Sequence, residues 1–122
     1  QMKKLVRDKI PAIIAKTGKM PDFYVALREE YEQELFKKLV EELEEFKENP
    51  CIEEAADIYE VFLAILDHWN MVPLDVASYG NKKRYEKGGF RQRFILNLRR
   101  LEEEDEDEPT EDWDVNAHGE QR

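Results

Sequence analysis

From Glu29 to Glu48 the apolar residues Leu35, Phe36, Leu39, Val40, Leu43 and Phe46 recur at i, i+3, i+4. That spacing predicts an amphipathic helix stopping before Asn49-Pro50. A second stretch, Ile52 to Asn70, is apolar around most of its circumference and predicts a helix ended by Met71-Val72-Pro73. Ahead of them, LVRDKIPAIIAK carries Pro11 where a first turn tolerates it and runs to Gly18, predicting a short helix from about Asp8 to Lys16. FYVALR, residues 23 to 28, alone has strand-like composition. It is too short to found a sheet and is expected as an extended connector or a small edge pair. A further helix is predicted from about Leu74 to Glu86; Gly88-Gly89 breaks it, and FRQRFILNLRRL resumes a basic amphipathic stretch. The class is all-α, a helical bundle around a central two-helix hairpin with a tight Asn-Pro turn.

The helical wheel divides the acids of the hairpin. With Leu39 at 0°, the apolar stripe spans about 320° to about 60°, Glu41 and Glu48 lie opposite near about 200° and 180°, and Glu42 meets the stripe's edge near about 300°. Glu45 extends that edge, Glu44 being angularly as plausible, and Lys38 precedes Glu42 by one turn. On the next helix, with Asp57 at 0°, Glu53, Glu60 and Asp67 line a solvent stripe near about 280° to 320°, whereas Glu54 near about 60° falls on the buried side. Asp57 shares a flank with Val61 and Ala64, and His68 falls near it as a packed or rim residue. Unpaired buried carboxylates are costly unless something cationic meets them. An E-x-x-E on one helix, Glu42 and Glu45, and an E-x-x-D on the next, Glu54 and Asp57, would converge across a short turn. Four carboxylates without adjacent His or Cys form a hard oxygen site suited to Mg²⁺ or Mn²⁺. Salt bridges between these acids and Lys or Arg are the competing reading.

Charge shifts the picture at one end. Eleven acids and one base fall within residues 102–122, so the net charge of −10 resides there and residues 1–101 are balanced. We therefore expect one domain over 1–101 and an acidic, disordered tail over 102–122. No basic excess invites nucleic acid or anionic membrane, and no apolar run reaches the length of a membrane span. A lone Cys51 and an opening without an apolar signal core fit a cytoplasmic setting.

The motifs KLVRDKIP, KLVEELEEF, EEAADIYEV and NKKRYEKGGF followed by RFIL stand in this order over about residues 3–98. Together they resemble the MazG-like all-α nucleotide pyrophosphohydrolases, a superfamily that includes phosphoribosyl-ATP pyrophosphohydrolase and dimeric dUTPase. The resemblance implies Mg²⁺ on Glu42, Glu45, Glu54 and Asp57, favours Glu45 over Glu44, and implies cleavage of a nucleoside triphosphate between its α and β phosphates. The expected role is house-cleaning of aberrant nucleotides. Glu45, or Glu42, is the expected base for the attacking water, and Lys38, Asn81, Lys83, Lys87 and Arg7 are the expected phosphate contacts. Lys87 departs from an Arg common in relatives before the two glycines, which removes a bidentate fork. The resemblance also implies a homo-dimer or homo-tetramer, as does the apolar surface of Ile52 to Trp69. The alternative function is a non-enzymatic helical oligomerisation module whose acids form inter-subunit salt bridges.

Overall fold

The computed structural model describes residues 2–99 and 101; the tail expected over 102–122 lies outside the described residues. The chain is all-α: among the described residues four helices follow one another with no strand, α1 (Ile10–Lys16), α2 (Arg28–Glu48), α3 (Ile52–His68) and α4 (Pro73–Lys87). Two units are distinguished, one ending at Lys83 and the other beginning at Arg84.

Local chemistry sets the helix ends. Pro11 sits in the first turn of α1, and Gly18 follows it at φ 93°, its amide donating to the Ala15 carbonyl at 3.0 Å. Such a left-handed closing residue is where glycine is favoured. α1 begins at Ile10 rather than Asp8, because residues 8 and 9 form a turn held by the Ile10 amide on the Arg7 carbonyl. FYVALR is an irregular connector into α2. Asn49 closes α2 through its amide on the Glu45 and Phe46 carbonyls, both at 3.1 Å. Pro50 cannot continue that ladder, and extended Cys51 opens α3. Asn70, at φ 59°, ends α3 with the Met71 amide reaching back to the Leu66 carbonyl at 2.8 Å. α4 starts on Pro73, as a first helical residue can.

α2 and α3 pack as the expected antiparallel hairpin. Its buried apolar residues are Leu35, Val61 and Leu66, with Leu35 only 1% exposed. At the end away from the Asn-Pro turn, His68 Nε2 and Glu32 Oε2 are 2.7 Å apart, and the His68 ring is flanked edge-on by Tyr31 and Trp69. Phe36, Val40 and Leu43 of α2 and Tyr59 and Phe62 of α3, by contrast, remain substantially exposed. α4 has no fully buried residue.

In the unit that begins at Arg84, Gly88 stands at φ 85° and its amide meets the Arg84 carbonyl at 2.8 Å, ending the helix. The basic stretch that follows differs from its helical pattern. Residues 91 and 92 form a turn, Arg93 takes φ 60°, and helical backbone resumes only at Leu98.

Candidate metal centre and groove

The antiparallel register brings Glu42 of α2 level with Glu54 and Asp57 of α3. One carboxylate oxygen from each of Glu42, Glu54 and Asp57 can be chosen so that all lie within 4.8 Å of one another, and Glu41, Glu42 and Glu45 form a second such trio. Glu42 belongs to both.

Burial falls differently from the wheel. Glu42, expected only at the edge of the stripe, is the most enclosed acid among the described residues at 7% exposed, whereas Glu54 and Asp57 are half-buried. The Oε1 atoms of Glu42 and Glu54 are both buried and accept no hydrogen bond among the described residues. Burial pushes the Glu42 carboxyl above the usual range, the charges of Glu45 and Asp57 add to this, and Lys38 opposes it. Glu54 is raised for the same leading reason, with the charges of Glu45 and Asp57 contributing repulsion. Carboxylates gathered so closely form a site of concentrated negative potential, which a divalent cation relieves.

Two of the expected phosphate contacts are engaged with these acids. Arg7 Nη2 lies 2.8 Å from Asp57 Oδ1, and Lys38 Nζ lies 3.5 Å from both Glu41 and Glu42. Glu41, read from the wheel as a solvated acid, is instead half-buried and bonded to Lys4 Nζ at 2.8 Å. That bond holds its carboxyl below the usual range. Wheel geometry misses this because the partner comes from the N-terminal segment, 37 residues away in sequence.

That segment also builds a groove. Residues Leu5 to Lys9 face α2 and α3 across a cavity of about 650 Å³ whose lining includes Leu35, Val61, Leu63 and Ala64, with Lys38, Glu42 and Asp57 toward one end. Tyr31, Glu60 and Asp67 line it as well, so part of the stripe read as facing solvent borders a concave surface. Arg7 and Lys38 thus line the groove; Asn81 and Lys83, on α4, do not, and Lys83 Nζ lies 5.9 Å from the Tyr79 ring centroid. Lys87 is the last residue of α4, in the unit that begins at Arg84.

Compared with protein-family models, curated proteins and solved structures, the chain matches none. Among the described residues no helix is long and apolar enough to cross a membrane.

Proposed function

We propose that the chain is a MazG-like, Mg²⁺-dependent nucleoside triphosphate pyrophosphohydrolase releasing nucleoside monophosphate and pyrophosphate, with Mn²⁺ able to replace Mg²⁺. The observation that carries this reading is Glu42, enclosed, with an oxygen that meets no donor, beside Glu54 and Asp57. An all-oxygen set of this kind fits a hard divalent cation. Glu42, Glu54 and Asp57 would hold it, with Glu45 adjoining through Glu42. Such a cation supplies charge neutralisation on phosphate oxygens and a more acidic water.

The chain's own groups account for the rest. Glu45 is more exposed than Glu42 and neighbours both Glu42 and Glu54, so it is the acid best able to take a proton from the attacking water. Lys38 and Arg7 line the groove beside the carboxylates and would bind the phosphate oxygens, Arg7 by exchanging its bond to Asp57 for one to substrate. Asn81, Lys83 and Lys87 are assigned to the leaving pyrophosphate on the resemblance alone.

The exposed apolar residues of α2 and α3 support assembly as a homo-dimer or homo-tetramer. A cytoplasmic house-cleaning role belongs to the same proposal. The rival reading, a helical oligomerisation module whose acids form inter-subunit salt bridges, draws on the same exposed apolar residues; the Arg7–Asp57 and Lys4–Glu41 ion pairs lie within one chain and satisfy two acids without a metal ion.

A panel of ribo- and deoxyribonucleoside triphosphates with Mg²⁺, assayed for monophosphate and pyrophosphate, separates the two. The enzyme reading requires equal amounts of both products, abolished in Glu54→Gln with helical content retained. Turnover undiminished in that variant removes the carboxylate site from the mechanism.

A further inference from the structure

The segment ahead of α1 is fastened to the hairpin by side chains alone. Among the described residues no backbone hydrogen bond joins residues 2–9 to α2 or α3; the Arg7 and Lys9 carbonyls accept from Ile10 and Ile13 of α1. Two ion pairs make the connection, Lys4 Nζ with Glu41 Oε2 and Arg7 Nη2 with Asp57 Oδ1, each at 2.8 Å. Leu5, half-buried between them in sequence, lines the groove. Lys3 lies against Tyr24 of the connector instead, its Nζ 5.3 Å from the ring centroid. The other charged residues bordering the groove away from the carboxylates, Asp8 and Lys9 on the segment and Glu60 and Asp67 on α3, form no ion pair among the described residues and add no fastening.

Both fastenings fall on the candidate metal centre. Glu41 belongs to the trio with Glu42 and Glu45, Asp57 to the trio with Glu42 and Glu54, and Glu42 is common to the two. Lys4 and Arg7 each neutralise an acid of a different trio, and Lys38 stands 3.5 Å from both Glu41 and Glu42. Five carboxylates therefore meet three cations, an excess of two negative charges. That excess holds the segment down. The Lys4 and Arg7 side chains are half-exposed, and an ion pair so open to water is weak by itself. It gains from the acids beside it, of which Glu42 and Glu54 each keep a buried oxygen that meets no donor among the described residues. A divalent cation between Glu42, Glu54 and Asp57 cancels the excess and sets like charge against Arg7.

We propose that residues 4–9 form a cation-released latch. In the metal-free protein Lys4 and Arg7 stand in for the divalent ion and hold one wall of the groove against the hairpin; a divalent ion on the carboxylates frees that wall, and the groove of about 650 Å³ widens to admit a phosphorylated substrate. The latch rests on the cation reading of Glu42, Glu54 and Asp57, and is independent of which bond is hydrolysed. Linkage makes the coupling reciprocal, so a cation that loosens the segment binds more tightly once the segment is already loose.

The test is ¹⁵N relaxation of the full chain with and without saturating Mg²⁺, at an ionic strength held constant with NaCl, in wild type and Lys4→Gln, with Mg²⁺ affinity from calorimetry. Without Mg²⁺ the wild-type amides of Leu5 to Asp8 are expected to show order parameters like those of a rigid helix, about 0.85, and with Mg²⁺ values below about 0.6. Lys4→Gln is expected to loosen the segment in the absence of Mg²⁺ and to bind Mg²⁺ about fivefold more tightly. Mg²⁺-induced shifts of the Glu42 and Glu54 amides with order parameters unchanged at residues 5–8, or a Lys4→Gln affinity equal to that of wild type, overturn the latch and leave the cation site standing. No shift at Glu42 and Glu54 overturns both. Equal loosening when NaCl replaces Mg²⁺ at the same ionic strength also overturns the latch, because screening alone then suffices. Release by Mg²⁺ without turnover of any triphosphate keeps the latch and removes the enzymatic reading.

Discussion

Glu42 is a carboxylate destabilised by its own surroundings. Burial and the charges of Glu45 and Asp57 raise its pKa in the folded chain, and Glu54 is raised alongside it. A group whose folded pKa lies above the unfolded value contributes stability below the unfolded pKa and loses it as pH rises through the folded one. The metal-free protein therefore gains from these two groups as pH falls from neutrality toward about 4.3, the ordinary glutamate value. Glu32 and Glu41 run the other way, held low by His68 and Lys4, and lose their contribution as pH falls through their folded pKa values. Comparing wild type with Glu42→Gln/Glu54→Gln isolates the first pair. In calcium- and magnesium-free buffer the double variant is expected to melt higher near neutrality, with the difference shrinking toward pH 4–5. A gap independent of pH would contradict strained, ionised acids at these positions. Arg7 allows a second residue-scale test. Removing its charge from beside Asp57 in Arg7→Gln is expected to raise Mg²⁺ affinity in calorimetry while lowering turnover of triphosphate, because the same cation serves the acid without substrate and the phosphate with it.

At the scale of elements, the hairpin depends on a narrow apolar contact. Leu35 is the fully enclosed side chain between α2 and α3, so Leu35→Ala is expected to cost about 2–4 kcal/mol by urea denaturation. The loss should appear in both helices together, since each draws its stability mainly from packing its apolar face on the other. Much of this level was legible in the sequence. The i, i+3, i+4 pattern over Leu35 to Phe46, the Asn49-Pro50 break and the long apolar stretch after it give two helices and their turn, and i, i+3 spacing carries the acids to one level of the hairpin. A salt bridge from Arg7 to a helix acid stands among the readings of the sequence, but its choice of Asp57 and the enclosure of Glu42 were not legible. Both depend on the segment ahead of α1 crossing the hairpin, a contact spanning 50 residues in the Arg7–Asp57 bond, and helical periodicity carries no information about it. The basic stretch after Gly89 shows the limit of the pattern from a local cause. Its apolar residues have helical spacing, yet a turn at residues 91 and 92 and the left-handed Arg93 prevent that helix from starting until Leu98.

At the scale of the molecule, the hairpin leaves its apolar side open. Val40 is 57% and Tyr59 61% exposed, with Phe36, Leu43 and Phe62 around half that of a free side chain. A face of this kind is expected to be covered by a second copy, and sedimentation equilibrium should give a multiple of the 14.6 kDa chain mass. Val40→Glu is expected to shift the population toward the monomer and lower the melting temperature. A monomeric wild type across micromolar to millimolar concentration would contradict assembly through this face. A cation held by the acids is independent of the assembly, and Mg²⁺-dependent thermal stability tests for it most directly. Wild type should show a saturable rise in melting temperature with millimolar Mg²⁺ that Glu42→Gln abolishes. A wild type unmoved by Mg²⁺ or Mn²⁺, or an equal rise in both proteins, would contradict a cation held between Glu42, Glu54 and Asp57.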